Sequence, residues 1–299
     1  MSVITLTLNP CIDRTLWVDE HGGDVVMTEL ETGGKGINVA RVLGNLGQSA
    51  VAVCPLGGET GELFRKLAAD EGITLADIET SVPTRVIDTY VRRSDNAQKV
   101  DYVRGGEYSE AELDALTEKL FSLLPGAEML AICGSASCES AARRVPGIIT
   151  RAREMGITVL LDSNGPALMH GIKANPDMVK PNDDELFALT GIKDDPAAAA
   201  ARLLESGVGN VLASMGKSGC MWAGQTSVDY CPAPQVETVN PIGSGDSFVA
   251  GFIYAALRGC PPQMALMIAN ACGAANAAMF PAARITREDV ERLTGWPLI

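Results

Sequence analysis

Residues 129–162, which read MLAICGSASCESAARRVPGIITRAREMGITVLLD, predict a strand, a helix and a second strand. The two ends, Met129–Cys133 and Thr158–Asp162, are short apolar runs with the length of buried strands. Ser140–Met155 is long enough for a helix that carries the chain back across a sheet. Strands joined by such a crossover helix lie parallel, so this segment predicts parallel strands packed against helices.

The same alternation of strands and helices extends over most of the 299 residues. Further strands are predicted at residues 3–8, 50–54, 210–214 and 236–239. Further helices are predicted at residues 36–46, 59–71, 184–190, 196–206, 246–258 and 262–279, and from 286 onward. The pattern is typical of a layered α/β fold, and the length fits one large domain over residues 1–299.

Two regions depart from this alternation. Residues 15–18 and 25–31 read as short strands with no helix between them. Residues 84–93 and 99–104 read as a hairpin that turns at Ser94-Asp95-Asn96. We expect these pieces, within residues 14–32 and 84–104, to form a small separate sheet that covers the main one as a lid. The alternative is that they only decorate an edge of the main sheet.

The charge balance argues against two classes of partner. The formal net charge is −13, so the surface repels nucleic acid and anionic membranes. No apolar run approaches the roughly 18 residues of a membrane-spanning helix, and the chain enters its first strand without a leader. The eight cysteines form no Cys-x-x-Cys pair, which indicates free thiols in a reducing compartment. We therefore expect a cytoplasmic protein with no nucleic-acid or membrane partner.

A glycine-rich run, Gly243-Ser244-Gly245-Asp246, precedes the apolar helix predicted at 246–258. Glycines ahead of a helix let backbone N–H groups converge, and the helix dipole adds about half a positive charge there. The run therefore suits the charge that develops on a transferring phosphoryl group. The alternative is an ordinary turn with Asp246 as a helix cap. The run is not a Walker A loop, because no Gly-Lys-Ser/Thr follows at the right spacing.

A second glycine run, Gly33-Gly34-Lys35-Gly36, also precedes a predicted helix. Asn38 lies in the first turn of that helix, where its amide can face a ligand, and Lys35 adds a positive charge beside the open amides. This arrangement suits a sugar hydroxyl or a phosphate. The alternative is a tight turn with Asn38 as a cap.

Residues 180–185, Lys-Pro-Asn-Asp-Asp-Glu, combine the end of a strand with the start of a helix. Asn182 and Glu185 have the spacing of a capping box. The functional alternative is that the same two side chains hold a hydrated magnesium ion, since Mg²⁺ prefers oxygen ligands and keeps several waters.

Asp13 follows the first predicted strand, in the run Asn9-Pro10-Cys11-Ile12-Asp13. Ligands of open parallel sheets bind at the carboxyl ends of the strands, where one carboxylate can accept two sugar hydroxyls. The alternative is a turn stabilised by the Asp13 side chain. A dinucleotide-binding site is not predicted, because no Gly-x-Gly-x-x-Gly stands after this strand.

The four motifs, in this order along residues 5–279, resemble those of the ribokinase-like (pfkB) carbohydrate kinases. The resemblance implies a three-layer αβα core with a mostly parallel sheet and a small β-sheet lid over the sugar site. It also implies ATP as the phosphoryl donor and Mg²⁺ as the metal. Members usually carry alanine where Ser244 stands, a small change that leaves the backbone amides in place.

The resemblance also implies roles for individual residues. Asp246 would be the general base, with the amides of Gly243, Ser244 and Gly245 as the anion hole. Asn182 and Glu185 would organise the metal. The sugar-binding residues would be Asp13, Gly33, Gly34, Lys35, Asn38, Arg85 and Ser135. The nucleotide-binding residues would be Asn182, Ser214, Gly216, Gly219, Asn270, Gly273 and Asn276.

Residues 5–10 and 33–41 are similar to the branch of the family that phosphorylates sugar phosphates. We expect fructose 1-phosphate as the acceptor, with tagatose 6-phosphate or fructose 6-phosphate as alternatives, and a homodimer formed through the lid. Arg85 and Lys35 would face the phosphate. Branch members usually carry an arginine in the first lid strand, but Asp24-Val25-Val26-Met27 stands there. An unphosphorylated sugar, a nucleoside, or a non-catalytic sensor of sugar phosphates therefore stays open.

Overall fold

The computed structural model describes residues 2–19, 24–92, 94 and 97–298. Within these ranges the strands are β1 Ser2–Thr7, β2 Cys11–Val18, β3 Val25–Gly33, β4 Ala50–Gly57, β5 Leu75–Thr80, β6 Arg85–Arg92, β7 Gln98–Asp101, β8 Ala127–Cys133, β9 Thr158–Asp162, β10 Met178–Val179, β11 Asn210–Ser214, β12 Cys220–Ala223 and β13 Val228–Cys231. The α-helices are α1 Lys35–Asn45, α2 Gly58–Asp70, α3 Glu110–Leu123, α4 Glu139–Glu154, α5 Gly165–Gly171, α6 Asp183–Thr190, α7 Pro196–Glu205, α8 Ser244–Leu257, α9 Pro262–Ala277 and α10 Arg287–Thr294.

The segment 129–162 folds as predicted. β8 pairs in parallel with β9, with Met129 opposite Thr158 and Cys133 opposite Asp162, and α4 makes the crossover between them. These strands lie in a nine-stranded sheet with the order β13-β12-β11-β10-β9-β8-β1-β4-β5. Only β12 and β13 run antiparallel to their neighbours among the described strands of this sheet. The mostly parallel sheet predicted from the sequence is therefore confirmed.

Helices cover both faces of this sheet. Along β1, Val3 packs into one apolar core, whereas Ile4 and Leu6 pack into the other, because successive side chains of a strand point to opposite faces. The first core contains residues of α1, α8, α9 and α10, and the second contains residues of α3 to α7. The result is the three-layer αβα arrangement. Throughout the described ranges, no helix has both the length and the apolar character required to cross a bilayer.

The two regions that depart from the alternation form a second sheet with the order β3-β2-β6-β7. β2 and β3 pair antiparallel, β2 and β6 pair parallel, and β6 and β7 form the predicted hairpin. Asp95 and Asn96 of its expected turn lie outside the described residues. The small separate sheet is therefore present, and β3 is one of its edges.

One predicted strand is wrong. Residues 236–239 form no strand, because this segment runs along the end of α9, where Val239 N–H and Asn240 N–H both donate to Ala277 O. The helix α3 was not predicted, although Ser109 and Glu112 form a capping box at its start that could have been recognised. The strands β5, β12 and β13 were also missed, because strands of four to six residues carry few positions of periodic pattern.

Candidate active site

The sequence motifs converge at the carboxyl ends of the central parallel strands. Asp162 ends β9, Ser214 ends β11, and Lys180 directly follows β10. Lys35 Nζ lies 3.2 Å from Asp162 Oδ1, and Lys180 Nζ lies 3.6 Å from the same oxygen. Lys180 Nζ also donates to Ser214 Oγ over 3.4 Å. A compact cluster of two ammonium groups around one buried carboxylate therefore occupies this edge of the sheet.

Asp162 was not predicted as a site residue. It is fully buried, and in the described part of the chain its Oδ2 atom has no hydrogen-bond partner. The negative charge of Asp162 raises the pKa of Lys35, so Lys35 stays protonated. The signal that could have identified Asp162 is its place at the end of a buried strand, the argument already applied to Asp13.

The glycine-rich loop lies at the start of α8. Gly243 is the N-cap residue and has a φ of 80°, a left-handed conformation that favours glycine. No side chain caps this end of the helix. Ser244 N–H donates to Pro241 O over 3.2 Å, and the N–H groups that follow it in the first turn remain available to an anion. Asp246 lies three residues further on and does not cap the helix. The structure therefore does not support the alternative in which Asp246 is only a cap.

The Asp246 side chain is buried and points toward α1. Asn38 Nδ2 donates to Asp246 Oδ2 over 2.7 Å. Burial raises the pKa of Asp246 to about 6, while the charges of Lys35 and Lys180 and the hydrogen bond from Asn38 oppose the rise, and Asp162 adds to it. A carboxylate in this state is ionised at neutral pH and is a stronger base than an exposed aspartate.

The side chain of Asn276 on α9 holds the glycine-rich loop in place through hydrogen bonds. Its Nδ2 donates to Ile242 O over 2.7 Å and to Ser244 Oγ over 3.1 Å. Its Oδ1 accepts from Ser247 Oγ and from Ala283 N–H. The side chain is completely buried, so its amide holds the loop against α9. Contact between Asn276 and a nucleotide stays a prediction.

Asp13 lies in the middle of β2, where it pairs with Glu31 of β3 and Ile87 of β6. It is therefore in a strand and not in the alternative turn. Its carboxylate rests on Gly33, since a Cβ atom at that position would lie 2.3 Å from Asp13 Oδ2. Burial raises the pKa of Asp13, against the hydrogen bond from Cys11 Sγ and the charge of Arg41. The glycine run thus allows this carboxylate to pack at the start of α1.

Gly34 and Lys35 complete the turn into α1. Gly34 has a φ of 115°, and a Cβ atom there would lie 2.9 Å from Thr7 Cγ2 of β1. Gly34 is the N-cap residue of α1 and Asn38 lies inside the helix, so Asn38 is not a cap. Its amide is therefore free to reach Asp246.

A cavity of about 430 Å³ lies between the small sheet and the start of α4. Arg85, Arg104, Asn9 and Ser135 are among the residues that line it. Arg85 donates to Asn9 O and to Val103 O, and its buried Nε has no hydrogen-bond partner among the described residues. Asn9 Nδ2 donates to Ser135 Oγ over 3.2 Å. The structure thus brings the predicted residues Arg85 and Ser135 to one cavity.

Arg104 is a cation of this cavity that the sequence reasoning missed. The available signal was a basic residue that follows the last strand of the small sheet. The wall also contains Glu139, but its carboxylate is paired with Arg143 and His170. The two arginines therefore suit an anionic group in the cavity.

Asn182 and Glu185 form the predicted capping box at the start of α6. Asn182 Oδ1 accepts from Glu185 N–H over 2.7 Å, and Glu185 Oε2 accepts from Asn182 N–H over 3.0 Å. The described residues contain no group of three or more His, Cys, Asp and Glu side chains that could hold a metal by themselves. A hydrated magnesium ion needs only one or two protein oxygens together with waters and phosphate oxygens. The metal role of this pair stays a prediction.

The residues predicted to bind the nucleotide lie beside the glycine loop. Ser214 ends β11, and residues 216–218 form a short helical turn after it. Gly219 has a φ of 104° and packs against Cys231 O. Asn270 Nδ2 donates to Cys231 O and Pro232 O, and a Cβ atom at Gly273 would lie 3.2 Å from Ser244 O. These contacts hold α9 against the segment after β13 and against the start of α8, and direct nucleotide contacts stay predictions.

The chain is similar in sequence to known proteins. Residues 2–281 match the profile described as pfkB family carbohydrate kinase. A 1-phosphofructokinase from Vibrio cholerae is 31% identical over 280 residues, which are 91% of this chain and 88% of that protein. The ATP-dependent 6-phosphofructokinase isozyme 2 from Escherichia coli is 33% identical over 258 residues, which are 83% of each chain.

The similarity extends to the solved structures. Phosphofructokinase-2 from Escherichia coli, in complex with substrates and products, superimposes on this chain with a TM-score of 0.90 and a sequence identity of 28%. The superposition covers 99% of both chains. Both sheets and the residues between them therefore lie within the matched region.

Proposed function

This chain belongs to the pfkB family of carbohydrate kinases, and we propose that it transfers the γ-phosphoryl group of ATP to a hydroxyl of a ketohexose phosphate. Fructose 1-phosphate is the acceptor that we propose first, which gives fructose 1,6-bisphosphate. The observation that carries the proposal is the buried Asp246 carboxylate beside the uncapped start of α8. The Vibrio cholerae relative named 1-phosphofructokinase supports this choice of acceptor.

In the proposed mechanism, Asp246 is the general base for the acceptor hydroxyl. Its raised pKa, about 6, leaves it ionised at neutral pH and able to accept the proton. The N–H groups of Gly243, Ser244 and Gly245 would stabilise charge on the transferring phosphoryl group, because no side chain caps this end of α8. Ser244 N–H, which donates to Pro241 O in this structure, would turn to the phosphoryl group when ATP binds. Asp13 and Asn38 would orient the sugar next to the base.

Magnesium would be organised by Asn182 and Glu185, the N-cap residue and a first-turn residue of α6. When bound, the ion would neutralise charge on the phosphate oxygens of ATP. The pair fits a hydrated ion and does not fit an ion held by protein ligands alone. Lys180 lies just before this loop and would add positive charge near the same phosphates.

The phosphate of the sugar would bind in the cavity lined by Arg85 and Arg104. Lys35 was expected as the second cation, but its ammonium group is engaged by Asp162. Arg104 is therefore the better candidate, and it compensates for the missing arginine at residues 24–27. A planar guanidinium forms two parallel hydrogen bonds to a phosphate, which suits the discrimination of phosphorylated from unphosphorylated sugar.

A coupled ADP-release assay tests the proposed function. It compares fructose 1-phosphate, fructose 6-phosphate, tagatose 6-phosphate and unphosphorylated fructose at saturating ATP. We expect the highest kcat/KM with fructose 1-phosphate. Activity with fructose alone would reject the sugar-phosphate acceptor, and absence of activity with all four would reject the proposed function.

The same assay tests the role of Arg104. We expect Arg104→Ala to raise the KM for the sugar phosphate by about 10- to 100-fold, since a hydrogen-bonded charge contributes about 1.5–3 kcal/mol. The KM for ATP should not change. Arg202→Ala is the control, because Arg202 is an exposed arginine of α7 that pairs only with Glu205 among the described residues. An unchanged sugar KM in Arg104→Ala would contradict this assignment.

We also propose that the chain is a cytoplasmic homodimer that associates through the four-stranded sheet, which acts as a lid. Eight free cysteines suit a reducing compartment. The edge strand β3 carries exposed apolar side chains at Val25, Val26, Met27 and Leu30. An exposed apolar strand at the edge of a sheet is suited to pairing with a second copy.

A further inference from the structure

We propose that Arg41 is a positioning residue for the reaction: it fixes the orientation of the Asn38 amide and thereby directs a donor to Asp246. This inference rests on the proposed function, in which Asp246 is the base. Arg41 touches neither Asp246 nor the cavity lining, so its effect would pass through Asn38.

The hydrogen bonds of the Asn38 side chain fix which of its atoms faces Asp246. Arg41 Nη1 donates to Asn38 Oδ1 over 2.6 Å, and Asn38 Nδ2 donates to Asp246 Oδ2 over 2.7 Å. A guanidinium has donors only, so the atom of Asn38 that faces it has to be the carbonyl oxygen. The amide nitrogen then has to face Asp246. Asn38 and Arg41 are three residues apart and so share one face of α1.

The guanidinium of Arg41 is itself held in one orientation by its hydrogen bonds. It is buried, with 4% of its surface exposed. Its Nη2 donates to Glu71 Oε2 over 2.7 Å and to both the carbonyl and the hydroxyl oxygen of Thr32. Its Nε donates to Glu71 Oε2 over 3.1 Å. The guanidinium is thus held on three sides by α1, by the end of β3 and by the residue that follows α2.

Glu71, the carboxylate that pairs with Arg41, stays ionised. Burial opposes this, but the charge of Arg41 and the hydrogen bonds from Thr32 outweigh burial and lower the pKa of Glu71. Arg284 Nη2 lies 3.1 Å from Glu71 Oε1 and 2.9 Å from Glu31 Oε1. A chain of charged hydrogen bonds therefore runs from Asp246 through Asn38 and Arg41 to the glutamates beside the small sheet.

The consequence is chemical. A free asparagine amide could turn and accept the proton of a neutral Asp246, which would stabilise the protonated form. An amide locked with its N–H toward the carboxylate stabilises only the ionised form. The other charges that act on Asp246 are those of Lys35, Lys180 and Asp162, and the other acidic group near Arg41 is Asp13. None of these depends on Arg41 for its position in the described contacts.

The test is the pH dependence of kcat/KM for the sugar at saturating ATP, which reports groups of the free enzyme. The wild-type protein should lose activity as the pH falls through a value near 6, since the ionised base is then protonated. Arg41→Met should raise the pKa of Asp246 and move this acid limb upward by about one pH unit. Activity of this variant should be about tenfold lower on the acid limb and closer to wild type above pH 8.

Three further variants separate positioning from folding. Arg65→Met is the control, because Arg65, like Arg41, is an arginine held by hydrogen bonds to its neighbours. It forms three ion pairs, on α2 and β5, whereas Arg41 forms one with Glu71, and none of its described contacts leads to Asp246. This variant should lower the melting temperature without moving the acid limb. Arg41→Lys keeps a donor toward Asn38 and should move the limb part of the way back. If Arg41→Met fails to fold, Arg41→Met with Glu71→Gln removes the unpaired charge and carries the test.

The outcomes are distinct from those of the proposed function. A wild-type enzyme that is inactive on every sugar would overturn the proposed function. An active wild-type enzyme with an acid limb near pH 6, and the same limb in Arg41→Met, would overturn only this inference. A loss of activity in Arg41→Met by the same factor at every pH would also overturn it, because a purely structural role does not move a titration.

Discussion

At the scale of single residues, the environment of Asp246 balances opposing effects. Burial destabilises its charged form, whereas Lys35, Lys180 and the Asn38 amide stabilise it. If burial acted alone, the pKa of Asp246 would be higher still, and less of the carboxyl group would be ionised and able to accept a proton at neutral pH. If the charges of Lys35 and Lys180 cancelled the effect of burial completely, the pKa of Asp246 would be lower and the carboxylate would be a weaker base. The intermediate pKa of about 6 is suited to proton transfer near neutral pH.

The variant Asp246→Asn tests this residue directly. It removes the proton acceptor and keeps the size of the side chain, so turnover should fall by about 10²–10⁴-fold. ATP affinity, measured by calorimetry, should stay close to wild type, because the described hydrogen bond of this side chain goes to Asn38 of α1 and not to a residue predicted to bind the nucleotide. Near-normal turnover of Asp246→Asn would show that another group takes the proton.

At the scale of elements, the start of α8 is shaped by its contact with α9. Gly243 needs a positive φ, and Asn276 of α9 hydrogen-bonds to the backbone at Ile242 and to the hydroxyl of Ser244. The loop is therefore held in one conformation before any ligand arrives. Preorganised N–H groups stabilise developing charge without the cost of reorganising at the moment of reaction.

Gly243→Ala should therefore reduce turnover. A Cβ atom at this position would lie 3.0 Å from Ala282 Cβ and 3.1 Å from Ala283 N, so the loop would have to shift. We expect kcat to fall by about 10- to 10³-fold, with little change in the KM of the sugar. The measurement is steady-state kinetics together with unfolding in denaturant.

Gly47→Ala is the matched control for this variant. Gly47 has a φ of 81°, almost the same as that of Gly243, but a Cβ atom there would meet nothing within 4 Å. Both variants should lose about 1–2 kcal/mol of the free energy of unfolding through backbone strain. Only Gly243→Ala should lose turnover, and an equal loss in both would mean that strain alone explains it.

At the scale of the whole molecule, the lid sheet leaves part of its edge uncovered. Residues 25–30 of β3 are all exposed, so within the described structure neither face of this part of the strand is covered. The strand ends at Thr32 and Gly33, which are buried beside Arg41 and Asp13. Association through β3 would therefore take place on the same strand that borders the candidate site.

The dimer is tested by sedimentation velocity. We expect the wild-type protein to sediment as a dimer at micromolar concentration and Val26→Asp to sediment as a monomer, because a charge in an apolar interface is costly to desolvate. Val228→Asp is the control, since Val228 is similarly exposed but lies on β13, the edge of the large sheet. A monomeric wild-type protein, or dissociation by Val228→Asp alone, would contradict association through the lid.

Prediction from sequence worked best where the signal is local. The boundaries of β9 and β11 were predicted to the residue, and those of most helices to within one or two residues, because apolar periodicity and capping residues are properties of short segments. The strand predicted at 236–239 is wrong, because forming a strand also requires a partner that lies elsewhere in the chain. Its β-branched residues suit a strand, but among the described strands none pairs with them, and Val239 N–H donates to Ala277 O of α9 instead.

Some residues of the candidate site could be recognised from the sequence, and others could not. Asp246, Asn38 and Asp13 lie in glycine-rich or strand-end motifs that can be recognised in the sequence. Asp162, Arg104 and Arg41 were not assigned from the sequence, because local signals do not reveal which groups the fold brings together. Asp162 meets the ammonium group of Lys35, Arg104 shares a cavity with Arg85, and Arg41 holds an asparagine that reaches Asp246. Asp162 meets Lys35 across 127 residues, and Asn38 meets Asp246 across 208.

The sequence by itself determined the layered α/β class, the order of the motifs and the identity of the groups that could do the chemistry. These follow from local periodicity and from residue types that only certain reactions need. The tertiary structure alone decided that Asp246 is buried, that Lys35 is engaged by Asp162, and that Arg104 joins Arg85 in one cavity. The physical reason is that burial and charge pairing depend on which distant segments the fold brings together.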